Sequence, residues 1–220
     1  MTSQKYMSTV ASVYNITDLR FSYGKHFSLL LDQFTVKQGQ IIGMVGLNGQ
    51  GKSTLLQILA FLLKPPVGKI EYFGELVTRN NIDNLRQTVA LLLQETTLLK
   101  RSVFENVAYG LIIRGFNKEH IEEMVAKTLA RVGLSIANHG KKQSHELSGG
   151  EMKRVALAAR IAISPQVLLL DEPTTSIDKL NKDIIYQTLV ELNQEKQTTI
   201  IVSSHDESWL SKFTTAQIEL

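Results

Sequence analysis

Eight residues constrain this chain more than any other feature: Gly46-Leu47-Asn48-Gly49-Gln50-Gly51-Lys52-Ser53. They match G-x-x-x-x-G-K-[ST], a phosphate-binding loop, and stand between the apolar run Ile41 to Val45 and the helical run beginning at Thr54. A loop of this kind works only where a buried strand delivers it and a helix leaves it. Its glycines turn backbone N–H groups inward around phosphate oxygens, Lys52 neutralises charge on the β and γ phosphates, and the Ser53 hydroxyl suits Mg2+. The helix that follows points the positive end of its dipole at the same anion. Gly46, Asn48, Gly49, Gly51, Lys52, Ser53 and Thr54 are therefore the expected nucleotide-binding residues. A chance match in a chain of this length is on the order of one per cent, before the strand and helix context is counted.

The rest of the chain supplies the fold that such a loop requires. Val89 to Leu93, Val167 to Leu170 and Thr199 to Ser203 are short apolar runs followed by polar or glycine residues. Together with Ile41 to Val45 they read as strands of a mainly parallel sheet, buried on both faces, with functional loops at their C-terminal ends. Ahead of them, Tyr14 to Tyr23, Ser28 to Val36 and Lys69 to Phe73 alternate, broken by Gly24, Gly39 and Gly74, as in a small antiparallel sheet. Pro65-Pro66 marks an ordinary loop. Between Glu95 and Pro165 no strand is evident, whereas Val103 to Ile113, Lys118 to Val132 and Gly150 to Ile163 carry helical spacing, with breaks near Gly115, Gly133 and Gly149. At roughly 150 residues per domain, 220 residues suit one domain with a sizeable insertion. The expected organisation is a single domain, 1–220, with a core of 1–94 and 167–220 and a helical part of 95–166. After His205 there is room for a short helix and a strand-like Ala216 to Leu220.

Composition removes whole classes of function. The absence of cysteine excludes disulfide scaffolds, thiol catalysis and cysteine-ligated zinc. The net charge of +3 is spread thinly, its densest groupings being pairs such as Lys100-Arg101 and Lys141-Lys142, so no nucleic-acid partner is indicated. The longest nearly apolar run, Leu55 to Leu63, contains Gln57 and falls far short of the ~20 residues a membrane helix needs. Met1 to Tyr14 lacks the apolar stretch of a secretory signal, which makes a cytoplasmic location the expectation.

Two further motifs carry chemistry. Val167-Leu168-Leu169-Leu170-Asp171-Glu172 is an apolar strand ending in two carboxylates. Asp171, nearer the strand, suits the Mg2+ shell beside Ser53, and Glu172 suits orientation of the water that attacks the γ-phosphate. An ordinary glutamate is a weak base at neutral pH, so positioning matters more than outright proton removal. Leu147-Ser148-Gly149-Gly150-Glu151 precedes the amphipathic run Met152 to Ile163. Ser148 and Glu151 have capping-box spacing, and the same helix end, with the N–H groups of Gly149 and Gly150, offers a second anion site.

With these three motifs in this order, the sequence strongly resembles the ATP-binding cassette (ABC) family, over essentially all of Tyr14 to Leu220. The resemblance implies an α/β P-loop NTPase core with an N-terminal antiparallel β subdomain and a helical insertion carrying the signature. It implies ATP and Mg2+ as cofactors and a head-to-tail homodimer in which Ser148, Gly149 and Gly150 meet the γ-phosphate bound by the partner copy. Glu151 stands where the family usually has Gln; an ionised Glu cannot donate a hydrogen bond, yet it completes the box and accepts from a ribose hydroxyl. By the same resemblance Gln94 meets Mg2+ and relays to the helical part, His205 hydrogen-bonds the γ-phosphate, and Tyr23 stacks on adenine. The stretch Ser176-Ile177-Asp178 contacts the partner copy, while Asp178 also suits a helix N-cap.

The expected role is the ATPase subunit of a transporter whose integral membrane permease subunits are separate chains, peripheral on the inner face of the cell membrane. Leu98, Leu99, Val103 and Phe104 are candidates for the permease contact or for packing within the insertion. Ser102 to Leu111 looks like importers that work with an external solute-binding protein, including those for oxyanions such as tungstate or molybdate. An exporter ATPase or a soluble ABC ATPase is the alternative. The soluble types usually carry a long coiled coil or a second cassette, and neither is seen here.

Overall fold

The computed structural model describes residues 11–24, 27–65, 67–175 and 177–220. Met1 to Val10, Pro66 and Ser176, all drawn into the sequence reading, lie outside the described residues. Two sheets organise the chain. Strands β1 (Ser12–Tyr23), β2 (Phe27–Lys37), β4 (Val67–Tyr72) and β5 (Glu75–Leu76) form an antiparallel sheet in the order β2-β1-β4-β5. Strands β3 (Ile41–Val45), β6 (Val89–Leu92), β7 (Val167–Asp171), β8 (Thr199–Ser203) and β9 (Ala216–Glu219) form a second sheet in the order β6-β7-β8-β3-β9. Every pairing in the second sheet is parallel, with Leu169 opposite Ile201 and Ile42 opposite the same residue from the other side.

Because side chains alternate along a strand, the parallel sheet feeds two cores. Ile42, Met44, Leu169 and Ile201 join Val13, Ile16 and Leu19 of β1 and Leu55, Leu56 and Leu59 of α1 (Lys52–Leu59), so α1 is enclosed with the antiparallel sheet. Leu168, Leu170, Ile200 and Val202 face the helical side instead. There they meet Val107 of α3 (Val103–Ile113), Leu129 of α4 (Lys118–Arg131), Leu157 of α6 (Gly149–Ala162) and Leu189 of α7 (Lys179–Lys196). Each such leucine contributes about 1.5–3 kcal/mol by leaving water. The short helices α2 (Ile82–Arg86), α5 (Ile136–His139) and α8 (Glu207–Leu210) complete the set, with a 3-10 turn at Ser144–Glu146.

Helix boundaries follow local chemistry. Ser102 and Glu105 form a capping box that starts α3, and the Asn117 side chain accepts the His120 N–H at 2.9 Å to start α4. Asp178 does the same for Asn181 at 3.0 Å at the start of α7. Val103 is fully buried in the helical core, so it belongs to the packing of the insertion and not to a contact surface. Leu98 and Phe104 are half-buried against that core, while Leu99 is exposed. The exposed apolar residues of this region lie further on, at Tyr109, Ile112, Ile113 and Phe116. Among the described residues no helix is long and apolar enough to cross a membrane.

Candidate active site

The phosphate loop runs from the end of β3 into α1 through Gly51, whose φ of 104° is open to glycine and closed to most side chains. Among the described residues no side chain caps this helix, so the N–H groups of its first turn point to where an anion could bind. Lys52 is buried, and its ammonium donates to the Gly46 carbonyl at 2.7 Å and the Leu47 carbonyl at 3.0 Å. Two of its three protons thus hold the loop, and the third is left for a phosphate oxygen. Gln50 Oε1 accepts the Leu47 N–H, closing the other side of the turn.

Asn48, Gly49, Gly51, Lys52, Ser53 and Thr54 line one cleft of about 330 Å3 together with Gln94, Asp171 and Glu172. β7 brings in the two carboxylates at its C-terminal end, where a parallel sheet builds its sites. Asp171 is buried; its Oδ1 accepts the Ser203 hydroxyl at 2.7 Å, and Oδ2 has no donor among the described residues. Glu172 turns away from the strand with φ of 49°, a left-handed conformation that costs a non-glycine residue about 1–3 kcal/mol. Its own N–H donates to Ser203 Oγ at 3.1 Å and to the Ser203 carbonyl at 3.2 Å, and its Oε2 accepts the Thr175 hydroxyl at 3.0 Å.

The other oxygen of Glu172 is different. His205 Nδ1 lies 2.8 Å from Oε1, within ion-pair distance but out of line for a hydrogen bond, so Oε1 is buried with no hydrogen bond among the described residues. A buried carboxylate oxygen in that condition is an acceptor waiting for a donor. Ser53, Gln94 and Asp171 together offer a hydroxyl, an amide and a carboxylate, the hard oxygen set that Mg2+ prefers. Among the described residues there is no cluster of three or more His, Asp or Glu that could hold a metal ion.

The Ser148 motif does not line this cleft. Ser148 Oγ accepts the Glu151 N–H at 3.2 Å and Glu151 Oε2 accepts the Ser148 N–H at 2.8 Å, a closed capping box. Glu151 Oε1 faces His139 Nε2 at 3.2 Å and Lys142 Nζ at 3.5 Å. The Ser148 N–H, followed by the Ser148 hydroxyl and Lys142, draws the Glu151 carboxyl down to about 2. Gly149 and Gly150 form the first turn, and a Cβ on Gly150 would lie 3.4 Å from Asn181 Nδ2 and 3.8 Å from Ile177 Cγ2, so the motif abuts the loop containing Asp178. The backbone and side-chain N–H groups of Asn181 lower the Asp178 carboxyl. Tyr23, at the end of β1, is half exposed and stacks edge-on with Phe21 at 4.9 Å.

Three supporting residues carry no motif of their own. Ser203 serves both Asp171 and Glu172, Thr175 serves Glu172, and the Lys153 ammonium on α6 donates to the Thr175 carbonyl. Burial lowers the Lys153 ammonium, and the Glu172 charge partly opposes that.

The sequence profile of the ABC transporter family matches residues 31–175. The chain belongs to the ABC transporter family. Among curated proteins, this ABC chain is 38% identical over 190 residues to the tungstate uptake system ATP-binding protein TupC of Peptoclostridium acidaminophilum, with 86% of each chain covered. Among solved structures it is similar to cbiO1 from Clostridium perfringens, part of the ABC transporter complex cbiONQ, with a TM-score of 0.84, 29% identity, and 95% of this chain and 84% of that one covered. It is also similar to the dimeric cassette MJ0796 in a post-hydrolysis state bound to ADP and Pi, with a TM-score of 0.86, 26% identity and 94% of each chain covered. This chain is thus an ABC ATPase with the P-loop α/β fold, and its enzymatic activity is ATP hydrolysis.

Proposed function

We propose that this ABC ATPase drives an importer of an inorganic oxyanion of the tungstate or molybdate type. In this reading two copies close head to tail on ATP, and permease subunits in the membrane, served by a solute-binding protein, carry the solute. The likeness to the tungstate uptake protein supports the oxyanion, because it extends over 86% of both chains. The chain would then work at the inner face of the membrane through its permease. The exposed Tyr109, Ile112, Ile113 and Phe116 on and after α3 supply apolar surface for that contact.

Within one copy, the phosphate loop and Lys52 bind the β and γ phosphates, and Tyr23 stacks on the base. Bound Mg2+, held by Ser53, Gln94 and Asp171, would neutralise charge on the phosphates. Glu172 Oε1 accepts a hydrogen from the attacking water, and its fixed position aims that water at phosphorus. His205, beside the same oxygen, donates to the γ-phosphate. The observation that carries this mechanism is the buried Glu172 Oε1 without a hydrogen bond, at the end of β7 in the phosphate cleft. Because the Ser148 motif lies off that cleft, one copy holds only half of each proposed site. Ser148, Gly149, Gly150 and Glu151, with Asp178, close the site of the partner copy.

The test is to purify the intact complex from its native cell and measure ATP hydrolysis in liposomes with the solute-binding protein present. Tungstate or molybdate is expected to raise the rate, while sulfate and amino acids leave it unchanged. Recovery of the ATPase with no membrane protein would refute the transporter assignment, and stimulation by an unrelated solute would refute the oxyanion.

A further inference from the structure

Lys182 on α7 and Asp206 ahead of α8 form a half-buried ion pair, Nζ to Oδ2 at 2.7 Å, that belongs to none of the motifs. We propose that Lys182 and Asp206 are positioning residues for ATP hydrolysis, which hold His205 against Glu172. The proposal rests on the reading of Glu172 and His205 given above.

The argument starts from how little else fixes His205. Its side chain is half exposed, and it makes no hydrogen bond among the described residues. Its place depends on the two residues that flank it. Ser204 N–H donates to the Met44 carbonyl at 3.2 Å, which ties that side to the strand carrying the phosphate loop. Asp206 anchors the other side: its N–H donates to Ser204 Oγ at 3.1 Å, and its Oδ1 accepts Trp209 N–H at 3.0 Å and the Ser208 hydroxyl at 2.7 Å. These contacts make Asp206 the cap of α8, but they are all local. Among the described residues only Lys182 links the Asp206 carboxylate to another part of the fold, and with it the carboxyl is drawn down to about 2, the Lys182 hydrogen bond being the largest cause.

Lys182 is itself well placed to report on Glu172. Its N–H donates to the Asp178 carbonyl at 3.0 Å, so it lies one turn into the helix that Asp178 caps. Asp178 ends the loop that leaves Glu172 through Thr175. The buried Trp209 adds a second tie, its indole N–H donating to the Lys182 carbonyl at 3.4 Å. The contacts therefore place the pair on both sides of the site: Lys182 lies one turn after Asp178, and Asp206 adjoins His205, whose Nδ1 is 2.8 Å from Glu172 Oε1. The ion pair ties the first turn of α7 to the residue that flanks His205. A partly exposed pair adds little to stability, about 0–1 kcal/mol, whereas a misplacement of about 1 Å at a reacting centre can cost 100-fold in rate. Loss of the pair should therefore be read in turnover far more than in melting.

The experiment is steady-state hydrolysis of Mg-ATP by the full chain, with thermal melting of each variant. Lys182→Met is expected to lower kcat about tenfold, leave KM for Mg-ATP within about twofold and shift melting by under about 3 °C. Asp206→Asn keeps an acceptor for the α8 cap and should lower kcat to the same extent. The double variant should be no slower than either single one, and Lys182→Arg should restore the rate. Unchanged kcat in Lys182→Met, multiplied losses in the double variant, or a rise in KM at constant kcat would each overturn the proposal. Glu172→Gln and His205→Ala are run alongside. Full turnover in either overturns the reading of the site itself; their loss, with Lys182→Met at wild-type rate, overturns the tether alone.

Discussion

Glu151 closes the capping box at the start of α6, and its charge there has a measurable consequence. In Glu151→Gln the side chain keeps an oxygen for the Ser148 N–H, so the capping box survives. What is lost is the charge, and with it the attraction to Lys142 at 3.5 Å and to the positive end of α6. An exposed or partly exposed ion pair contributes about 0.2–1 kcal/mol and a carboxylate at a helix N-terminus about 0.3–1 kcal/mol, giving a loss of roughly 0.5–2 kcal/mol. At about 2–4 °C per kcal/mol for a chain of this size, melting should fall by roughly 1–8 °C at low salt. The pH dependence gives a sharper test. The carboxyl is lowered from 4.5 to about 2 in the folded chain, so the stability that ionised Glu151 supplies is fully present above about 4.5. It is lost progressively as pH falls towards 2, because only the unfolded state takes up the proton in that window. Urea midpoints of both chains from pH 7 down to 3, at low ionic strength, should show a gap that narrows below pH 4.5 and also shrinks in 1 M salt. Equal midpoints at pH 7, or a gap that is constant through the acid window, would refute the reasoning.

Other outcomes follow from the same geometry. Glu172→Gln should retain Mg-ATP binding, lose turnover and accumulate an ATP-bound dimer on size exclusion; an unchanged ATPase rate contradicts the role given to this carboxylate. Ser148→Arg should abolish turnover while sparing nucleotide binding, and full ATPase activity in that variant sinks the shared site. Gly68→Ala should destabilise the antiparallel sheet by roughly 2–3 kcal/mol in urea unfolding. Gly68 has φ of 112°, and a Cβ there would sit 2.6 Å from the Leu19 Cα, so β1 and β4 would have to part.

Local chemistry made much of this fold legible in the sequence. The span Val103 to Ile113 emerges as α3 with the same ends, because Ser102 and Glu105 start it and Gly115 follows close after it. The four central strands stand out for a similar reason, each being a short apolar run bounded by polar or glycine residues. That the glycine-rich loop, Asp171 and Glu172 meet in one cleft was legible because each stands at or directly after the end of a strand of the parallel sheet. Other contacts between distant segments were not. Nothing near Glu151 in the sequence singles out His139 and Lys142 as its neighbours, and nothing near Glu172 announces Thr175 or Lys153. Val103 stays open between partner contact and packing in the sequence, because an apolar side chain early in a helix looks the same whether it faces a partner or its own core. Its burial settles it as core. Helix α7 went undelineated beyond its cap, since its buried Ile185, Leu189 and Leu192 are diluted by polar residues along its 18 positions.

The place of β3 in its sheet also bears on how the protein is made. This strand spans Ile41–Val45, yet both its neighbours, β8 and β9, come from residues 199–219. At about 5–20 residues per second, roughly 10–30 s separate synthesis of β3 from synthesis of the strands that pair with it. Throughout that interval Ile41, Ile42 and Met44 lack their sheet partners, and the phosphate loop lacks its rigid footing. ATP therefore cannot stabilise the growing chain. Nucleotide can reward only a polypeptide that has been synthesised through β9, and until then β3 waits on slow, long-range strand pairing.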